Sequence, residues 1–391
     1  MIRRGLITLS SYLFCLTSLL DPANSIFRLK VPLFLLFLFS LVISYKPQIK
    51  YLGFYMAVFL AFLISYESGM MCGLEFDKDL TIQSLIFFLL FISLLWDSYI
   101  DLFMPLVFSC LIVSLVTIIG FVVMTSFPEI EAVINVFAED HGYPFMMSRR
   151  EFLGVQVVSF FYKSIPVVIF PATYYLKELI FSPFNRNRNI ILSSIFLLAL
   201  FFAGNRTMMG MAFIIFFAIS YEKLSKWKWF LPLLFVAFIC VAYVGYLSIT
   251  EVGEESNDIK YAHLVSYVDY FSERWYLIFF GSGAGSLFYS MGFEKMTGIT
   301  EWTYLEMIRN YGLFGLAAIM LFFTYPLWHY SEKSRTVQGW NALSLSFIFY
   351  LIASGTNPYL MSSTGFIVIL FMFSLVSNPK YQNDFSLYSN V

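Results

Sequence analysis

Charged residues are scarce in this chain. Of its 391 residues only 13% are Asp, Glu, Lys or Arg, whereas 59% are hydrophobic and 20% are aromatic. A soluble protein of this length could not hide that much apolar surface, and the mean hydropathy is +0.76. The composition therefore predicts an all-α polytopic integral membrane protein, with residues 1–391 forming a single membrane domain.

Cysteine and histidine patterns typical of metal sites are also missing. The chain has four cysteines and three histidines, and none of them has CxxC or HExxH spacing. Three of the cysteines lie inside apolar runs, which predicts neither a disulfide framework nor a metal site. No basic tract occurs, so nucleic acid is not an expected partner; the net charge of −1 does not bear on this.

The N-terminus lacks a cleavage site. Its start, Met1-Ile2-Arg3-Arg4 and an apolar run to Leu20, is similar to a signal peptide, but no Ala-x-Ala follows. We therefore expect the first apolar run to be retained as a membrane span. An internal repeat is also lacking, which weighs against an inverted-repeat transporter.

Apolar runs make up most of the chain. We predict about twelve spans, at roughly 6–20, 31–45, 51–66, 81–96, 102–127, 155–180, 190–204, 207–221, 230–249, 303–328, 341–355 and 361–377. Several are shorter than the roughly 20 residues that cross a bilayer core, which leaves room for one re-entrant pair.

Basic residues indicate the orientation of these spans. They concentrate in alternate connections, at Arg3, Arg4, Lys46, Lys50, Arg186, Arg188, Lys223, Lys226, Lys228, Lys333, Arg335 and Lys380. The positive-inside rule then predicts a cytoplasmic N-terminus and, with an even span count, a cytoplasmic C-terminus. Arg28 and Lys30 go against the rule.

Two long loops are predicted on the outer side, at 128–154 and 250–302. In the first, an apolar stripe at helical spacing predicts a short interfacial helix; its members are Ile130, Val133, Ile134 and Phe137. The second begins with acidic residues and becomes aromatic-rich and amphipathic from Tyr261 to Phe280.

Arg206 lies between two apolar runs, in the sequence Gly204-Asn205-Arg206-Thr207. It either snorkels from a tight turn or binds an anion, because its planar guanidinium suits phosphate. We favour the anion site. Arg274 precedes the run Gly281-Ser282-Gly283-Ala284-Gly285, where the backbone at Gly283 and Gly285 either faces an anion or forms a plain turn.

Glu301 begins the tenth predicted span and has no obvious partner in its own helix, whereas Glu306 and Arg309 are spaced to pair with each other. A carboxylate at the membrane surface could act as a general base. The alternative for Glu301 is a solvated interfacial side chain.

Arg149 and Arg150 end the first long loop and either bind phosphate or anchor a helix start. Lys163 falls inside the sixth apolar run and needs water or a partner there, which makes it a candidate cavity residue. His141 and His263 lie in the outer loops, where a lone histidine is more often a polar surface residue than a base.

Read together, these motifs resemble the family of bacterial polysaccharide polymerases and O-antigen ligases. The similarity covers about residues 195–325. It consists of Gly204-Asn205-Arg206, of Arg274 before Gly281–Gly285, and of Glu301-Trp302-Thr303-Tyr304-Leu305 before Gly312 and Gly315. The ligases have a His-Asn pair where this chain has Glu301-Trp302, which favours a Wzy-type polymerase over a ligase.

The resemblance implies a metal-independent, inverting glycosyltransferase of the GT-C type in the bacterial inner membrane, with no cofactor. Its catalytic residues would be Glu301, Arg206 and Arg274. Substrate would be bound by Arg149, Arg150, Lys163, Gly283, Gly285, Tyr304 and Arg309. The implied partners are membrane lipid, an undecaprenyl-pyrophosphate-linked oligosaccharide and a chain-length-regulating protein. An O-antigen ligase and a lipid-linked oligosaccharide flippase or other transporter are the alternatives.

Overall fold

The computed structural model describes residues 2–48, 51–152, 155–182, 184–204, 206–224, 239, 255–333, 338–355 and 357–378. Within these ranges most residues are helical. The helices are α1 Ile2–Leu20, α2 Lys30–Ser44, α3 Leu52–Met71, α4 Lys78–Leu90, α5 Phe103–Ser126, α6 Glu131–Asp140, α7 Ile169–Phe181, α8 Arg186–Phe202, α9 Arg206–Leu224, α10 Glu255–Glu273, α11 Leu277–Phe280, α12 Thr303–Lys333, α13 Gln338–Ser354 and α14 Ser363–Ser377.

Several short elements connect these helices, among them a 3-10 turn at Pro128–Ile130 before α6. A 3-10 helix, Phe91–Tyr99, continues α4, and another, Ile165–Val168, leads into α7. Strands β1 Phe145–Phe152 and β2 Val155–Tyr162 pair antiparallel, as do β3 Phe288–Ser290 and β4 Lys295–Thr297.

Helix α14 is the centre of the bundle. Its residues from Thr364 to Val376 are all buried, which is the pattern of a helix surrounded by other helices. Phe366 contacts rings of α1, α2 and the first 3-10 helix, and Phe371 contacts Phe170 of α7. The apolar composition of this segment therefore serves the protein core.

Contacts between the connections define two ends of the bundle. At one end, the connections are tied by polar contacts: Trp96 donates to the Tyr45 carbonyl at 2.9 Å, and Asn378 donates to the Ile100 carbonyl at 2.8 Å. At the other end lie α6, α10 and both hairpins. We call this second end the loop end.

Within the described ranges, four helices are long and apolar enough to cross a membrane. They are Leu52–Met71, Lys78–Tyr99, Phe103–Ser126 and Thr303–Trp328, and shorter apolar helices accompany them. This agrees with a helical membrane protein. The predicted span at 230–249 lies outside the described residues, apart from Ile239.

The predicted span at 155–180 is wrong in its first part. Residues 155–162 form strand β2, and the helix of this segment begins only at Ile169. Lys163 lies between them, in the turn after the strand. A helix does form where the stripe at 130–137 predicts one, as α6.

Candidate functional site

The turn after α8 packs directly against the first hairpin. Gly204 has a φ of +64°, and a Cβ built there would lie 2.5 Å from the Ser159 Cβ of β2. Only glycine tolerates both the left-handed backbone and this approach. Helix α9 begins two residues later, at Arg206, whose side chain lies outside the described residues, as does Asn205.

The same hairpin carries Arg149 and Arg150. In its register Arg149 is opposite Val158, the neighbour of Ser159, and Arg150 is opposite Val157. The side chains of both arginines lie outside the described residues. The backbone nevertheless brings the Arg149–Arg150 strand and the start of α9 together, although more than 50 residues separate them in sequence.

A chain of contacts joins this hairpin to the segment that holds Glu301. The Phe161 ring of β2 lies 6.4 Å from the Tyr359 ring, in the loop between α13 and α14. In that loop the Asn357 carbonyl accepts a 2.8 Å hydrogen bond from the Thr303 hydroxyl. Thr303 is the first residue of α12 and follows Glu301 by two positions. Glu301 is therefore at the loop end, like Arg206.

Glu301 has a partner that the sequence did not indicate. Its carboxylate lies 3.5 Å from the Lys260 Nζ of α10, and both side chains are partly exposed. Glu301 remains accessible, with 37% of its side chain exposed. A carboxylate that pairs with a cation and still faces solvent can accept a hydroxyl proton once that partner moves away.

His263 is not a surface residue. It is fully buried on α10, and its Nδ1 lies 2.8 Å from the Ser290 hydroxyl of β3. Its Nε2 has no hydrogen-bond partner among the described atoms. Burial lowers the pKa of His263, while the nearby Glu301 carboxylate acts in the opposite direction. Its buried position on α10 makes the expectation of a polar surface histidine wrong.

The glycine run fits a break in α12. Gly281, Gly283 and Gly285 all have positive φ, and α12 is interrupted at Gly312, whose φ is +70°. A Cβ on Gly281 would lie 2.6 Å from the Asn310 carbonyl oxygen. The N–H of Ser282 donates to the Arg309 carbonyl at 2.7 Å, and that of Gly283 donates to the Asn310 carbonyl at 3.0 Å. The backbone N–H groups of Ser282 and Gly283 are therefore already hydrogen-bonded within the protein.

Arg309 is buried beneath this glycine run. Its guanidinium donates to the Ser286 carbonyl at 2.6 Å and to the Gly298 carbonyl at 2.7 Å, and it stacks on the Phe288 ring. Glu306 accepts instead from the Thr300 backbone at 2.6 Å. The expected helical pair of Glu306 and Arg309 is thus replaced by bonds from each to the preceding loop.

Arg274 lies at the surface, after α10. It donates to the Glu273 carboxylate at 3.0 Å, and its guanidinium stands 5.4 Å from the centre of the Tyr270 ring. About a third of its side chain is exposed. An exposed pair of this kind is worth about 0–1 kcal/mol, so an incoming anion can displace Glu273 at little cost.

Two other candidates have structural partners. Lys163 donates to the Gly142 carbonyl at 2.9 Å, and burial lowers its pKa. The Tyr304 hydroxyl donates to the Leu351 carbonyl at 2.5 Å, which fastens α12 to α13. Both side chains therefore serve contacts between structural segments.

The sequence analysis did not predict the structural role of Lys30 and did not consider the Asp77-x-Asp79 pair. Lys30, which opposes the positive-inside rule, donates to the Pro22 carbonyl at 2.7 Å and to the Ser363 hydroxyl at 3.0 Å, so it fixes α2 to the start of α14. Asp77 and Asp79 have Asp-x-Asp spacing, and carboxylates of this kind can hold divalent cations. Asp77 accepts from the backbone of Asp79 at 2.9 Å as the cap of α4. Metal independence is therefore implied by the resemblance alone.

Comparison with known proteins adds no assignment. No protein-family model matches the chain, and no curated protein matches it.

Proposed function

We propose that this chain is a Wzy-type polysaccharide polymerase, a metal-independent inverting glycosyltransferase of the bacterial inner membrane. It transfers the growing glycan from undecaprenyl pyrophosphate to a second lipid-linked repeat unit. In this proposal about twelve spans form a GT-C-like membrane domain. Both termini are cytoplasmic, and the loop end faces the periplasm.

One observation carries the proposal: segments that are distant in sequence meet at the loop end. Gly204, two residues before Arg206, packs on Ser159 of the hairpin whose other strand carries Arg149 and Arg150. Glu301 is joined to the same hairpin through the loop between α13 and α14. These are the charged positions that a transfer between two pyrophosphate-linked substrates needs.

The proposed reaction assigns each charge a role. The acceptor hydroxyl attacks the anomeric carbon, a new C–O bond forms, and the bond from that carbon to the pyrophosphate oxygen breaks. Glu301 receives the hydroxyl proton. Arg206 and Arg274 stabilise the negative charge that develops on the leaving lipid pyrophosphate, which is the largest electrostatic demand of the reaction.

Deletion of the gene in the native host tests this function. Lipopolysaccharide separated on a gel should collapse from a ladder to core plus one repeat. Loss of every O-antigen band, with long lipid-linked polymer accumulating, would assign a ligase instead. An unchanged ladder together with unchanged capsule and exopolysaccharide would contradict the proposal.

A further inference from the structure

Lys260 of α10 stands against the carboxylate of Glu301. The Lys260 Nζ lies 3.5 Å from the Glu301 Oε2, and 27% of the lysine and 37% of the glutamate side chain are exposed. In its own helix Lys260 has no carboxylate three or four positions away, where a helical lysine finds its usual ion-pair partner. The charge of Lys260 is therefore directed out of its helix, at Glu301.

Hydrogen bonds fix the backbone of α10 beside Glu301. The carbonyl of Lys260 accepts a 3.0 Å bond from the indole N–H of Trp302, the residue that follows Glu301. Two turns later along the same face of α10, the Tyr267 hydroxyl lies 2.6 Å from the Thr300 hydroxyl, in the same segment as Glu301. The helix is thus fastened at both points, and the part of Lys260 that is free to move is its flexible side chain.

The segment that holds Glu301 is fixed on both sides as well. The N–H of Thr300 donates to the Glu306 carboxylate at 2.6 Å, and the Thr303 hydroxyl donates to the Asn357 carbonyl at 2.8 Å. Because both backbones are anchored, the ion pair opens through its side chains alone. An exposed ion pair contributes little to stability, so a bound substrate can separate the two charges without moving either segment.

We propose that Lys260 gates the base, so that Glu301 activates the acceptor hydroxyl of a glycan and not water. The proposal rests on the polymerase function proposed above. Water reaches the exposed Glu301 carboxylate, and an unpaired carboxylate there would accept a proton from it. The water oxygen would then bond to the anomeric carbon of the donor, and the bond from that carbon to the pyrophosphate oxygen would break. Lipid pyrophosphate would leave with the electron pair, and the donor glycan would be lost by hydrolysis.

The ion pair prevents this loss until the acceptor is bound. While the pair is closed, the Lys260 ammonium competes with a proton for the Glu301 carboxylate. A bound acceptor sugar presents several hydroxyl oxygens at fixed positions, and the three N–H groups of an ammonium can donate to them. The sugar thereby replaces Glu301 as the partner of Lys260 and exposes the base to its own hydroxyl. Lys260 thus determines whether the glycan is transferred to sugar or to water.

Transfer and hydrolysis are measured together to test the gate. The full-length protein is reconstituted in phosphatidylethanolamine vesicles with the undecaprenyl-pyrophosphate-linked repeat unit extracted from the deletion strain. Lipid-linked glycan longer than one repeat reports transfer, and free glycan in the aqueous phase reports hydrolysis. Lys260→Met should raise the ratio of free to transferred glycan about two- to fivefold, which is the change in accessible base expected when an exposed ion pair is removed.

Further variants separate a gate from a structural role. Lys260→Arg should keep the wild-type ratio, because a guanidinium restores the pair with Glu301. Glu301→Gln combined with Lys260→Met should release no more free glycan than vesicles without protein, because the base is gone. Lys295→Met, at an exposed cation of β4, is the matched control and should keep the wild-type ratio. Lys260→Gln is the second replacement, and a damaged fold would lower both products instead of raising one of them.

Two results would overturn the gate and leave the polymerase in place. One is an unchanged or lower ratio of free to transferred glycan in Lys260→Met and Lys260→Gln while the wild type transfers normally. The other is an equal rise in Lys295→Met, because the effect would then follow from any lost positive charge. A wild-type protein that forms no glycan longer than one repeat would instead remove the polymerase function, and the gate with it.

Discussion

Replacement of Arg309 by methionine tests whether this arginine holds the glycine run in place. The guanidinium is fully buried and supplies the hydrogen bonds to the Ser286 and Gly298 carbonyls. Each buried carbonyl left without a donor costs about 1–3 kcal/mol, so the two together cost about 2–6 kcal/mol. Loss of the stacking on Phe288 adds about 1–2 kcal/mol.

Hydrogen–deuterium exchange of the purified protein measures this loss locally. In Arg309→Met the amides of Ser282 and Gly283 should exchange at least about 30-fold faster, because 1.4 kcal/mol corresponds to a factor of ten. Arg309→Lys should give a smaller increase, since ammonium keeps the charge but not the planar fork. Lys295→Met, at an exposed cation of β4, is the matched control and should change nothing.

Unchanged exchange at these amides in Arg309→Met would refute the reasoning. It would mean that the loop keeps its conformation without the buried guanidinium. Faster exchange in both Arg309→Met and Lys295→Met would also refute it, because the effect would then follow from any lost positive charge.

Three further variants test other contacts. Gly281→Ala should lower the free energy of unfolding by about 1–3 kcal/mol, because φ is +80° and the new Cβ would meet the Asn310 carbonyl. The control Gly53→Ala places its Cβ in open space and should not lower it. Equal melting temperatures for the two variants would disprove this. His263→Gln should weaken the dependence of the free energy of unfolding on pH in the acid range. The pKa of His263 in the folded protein lies below its unfolded value of about 6.5, so the wild-type contribution to stability is present above that pH and is lost as the pH falls through the folded pKa. Parallel stability curves from pH 7.5 to 5.5 would argue against it. Glu301→Gln should reduce chain growth about 10²-fold or more at equal protein level, and normal growth would remove the base role.

Helical periodicity and hydropathy predict much of this fold. The apolar stripe at 130–137 gives α6, and the late apolar run at 361–377 gives the buried α14. Such patterns depend on residues a few positions apart. Length and composition suffice to identify them.

The first hairpin could not be separated from the helix that follows it, because 155–180 is continuously apolar apart from a few polar residues. Its signals were present: Val155–Tyr162 is rich in β-branched and aromatic residues, and a Leu-Gly pair separates it from β1. Lys163 marks the real boundary, since its ammonium needs the Gly142 carbonyl that a helix interior would not offer.

Long-range partners explain the remaining differences. Lys260 pairs with Glu301 across 41 positions of sequence, and His263 meets Ser290 across 27. Helical spacing alone predicts that Arg309 pairs with Glu306. In the fold, the 282–300 loop supplies nearer acceptors for Arg309, the carbonyls of Ser286 and Gly298. Local spacing identifies which residues are unusual, and tertiary structure decides what they contact.

The central claim is that arginines at the loop end stabilise the leaving lipid pyrophosphate. The most direct test is complementation of the deletion strain with Arg206→Ala at wild-type protein level, with Arg206→Lys as the control that keeps the charge. We expect no glycan longer than one repeat for Arg206→Ala and partial chain growth for Arg206→Lys. A full ladder from Arg206→Ala would contradict it.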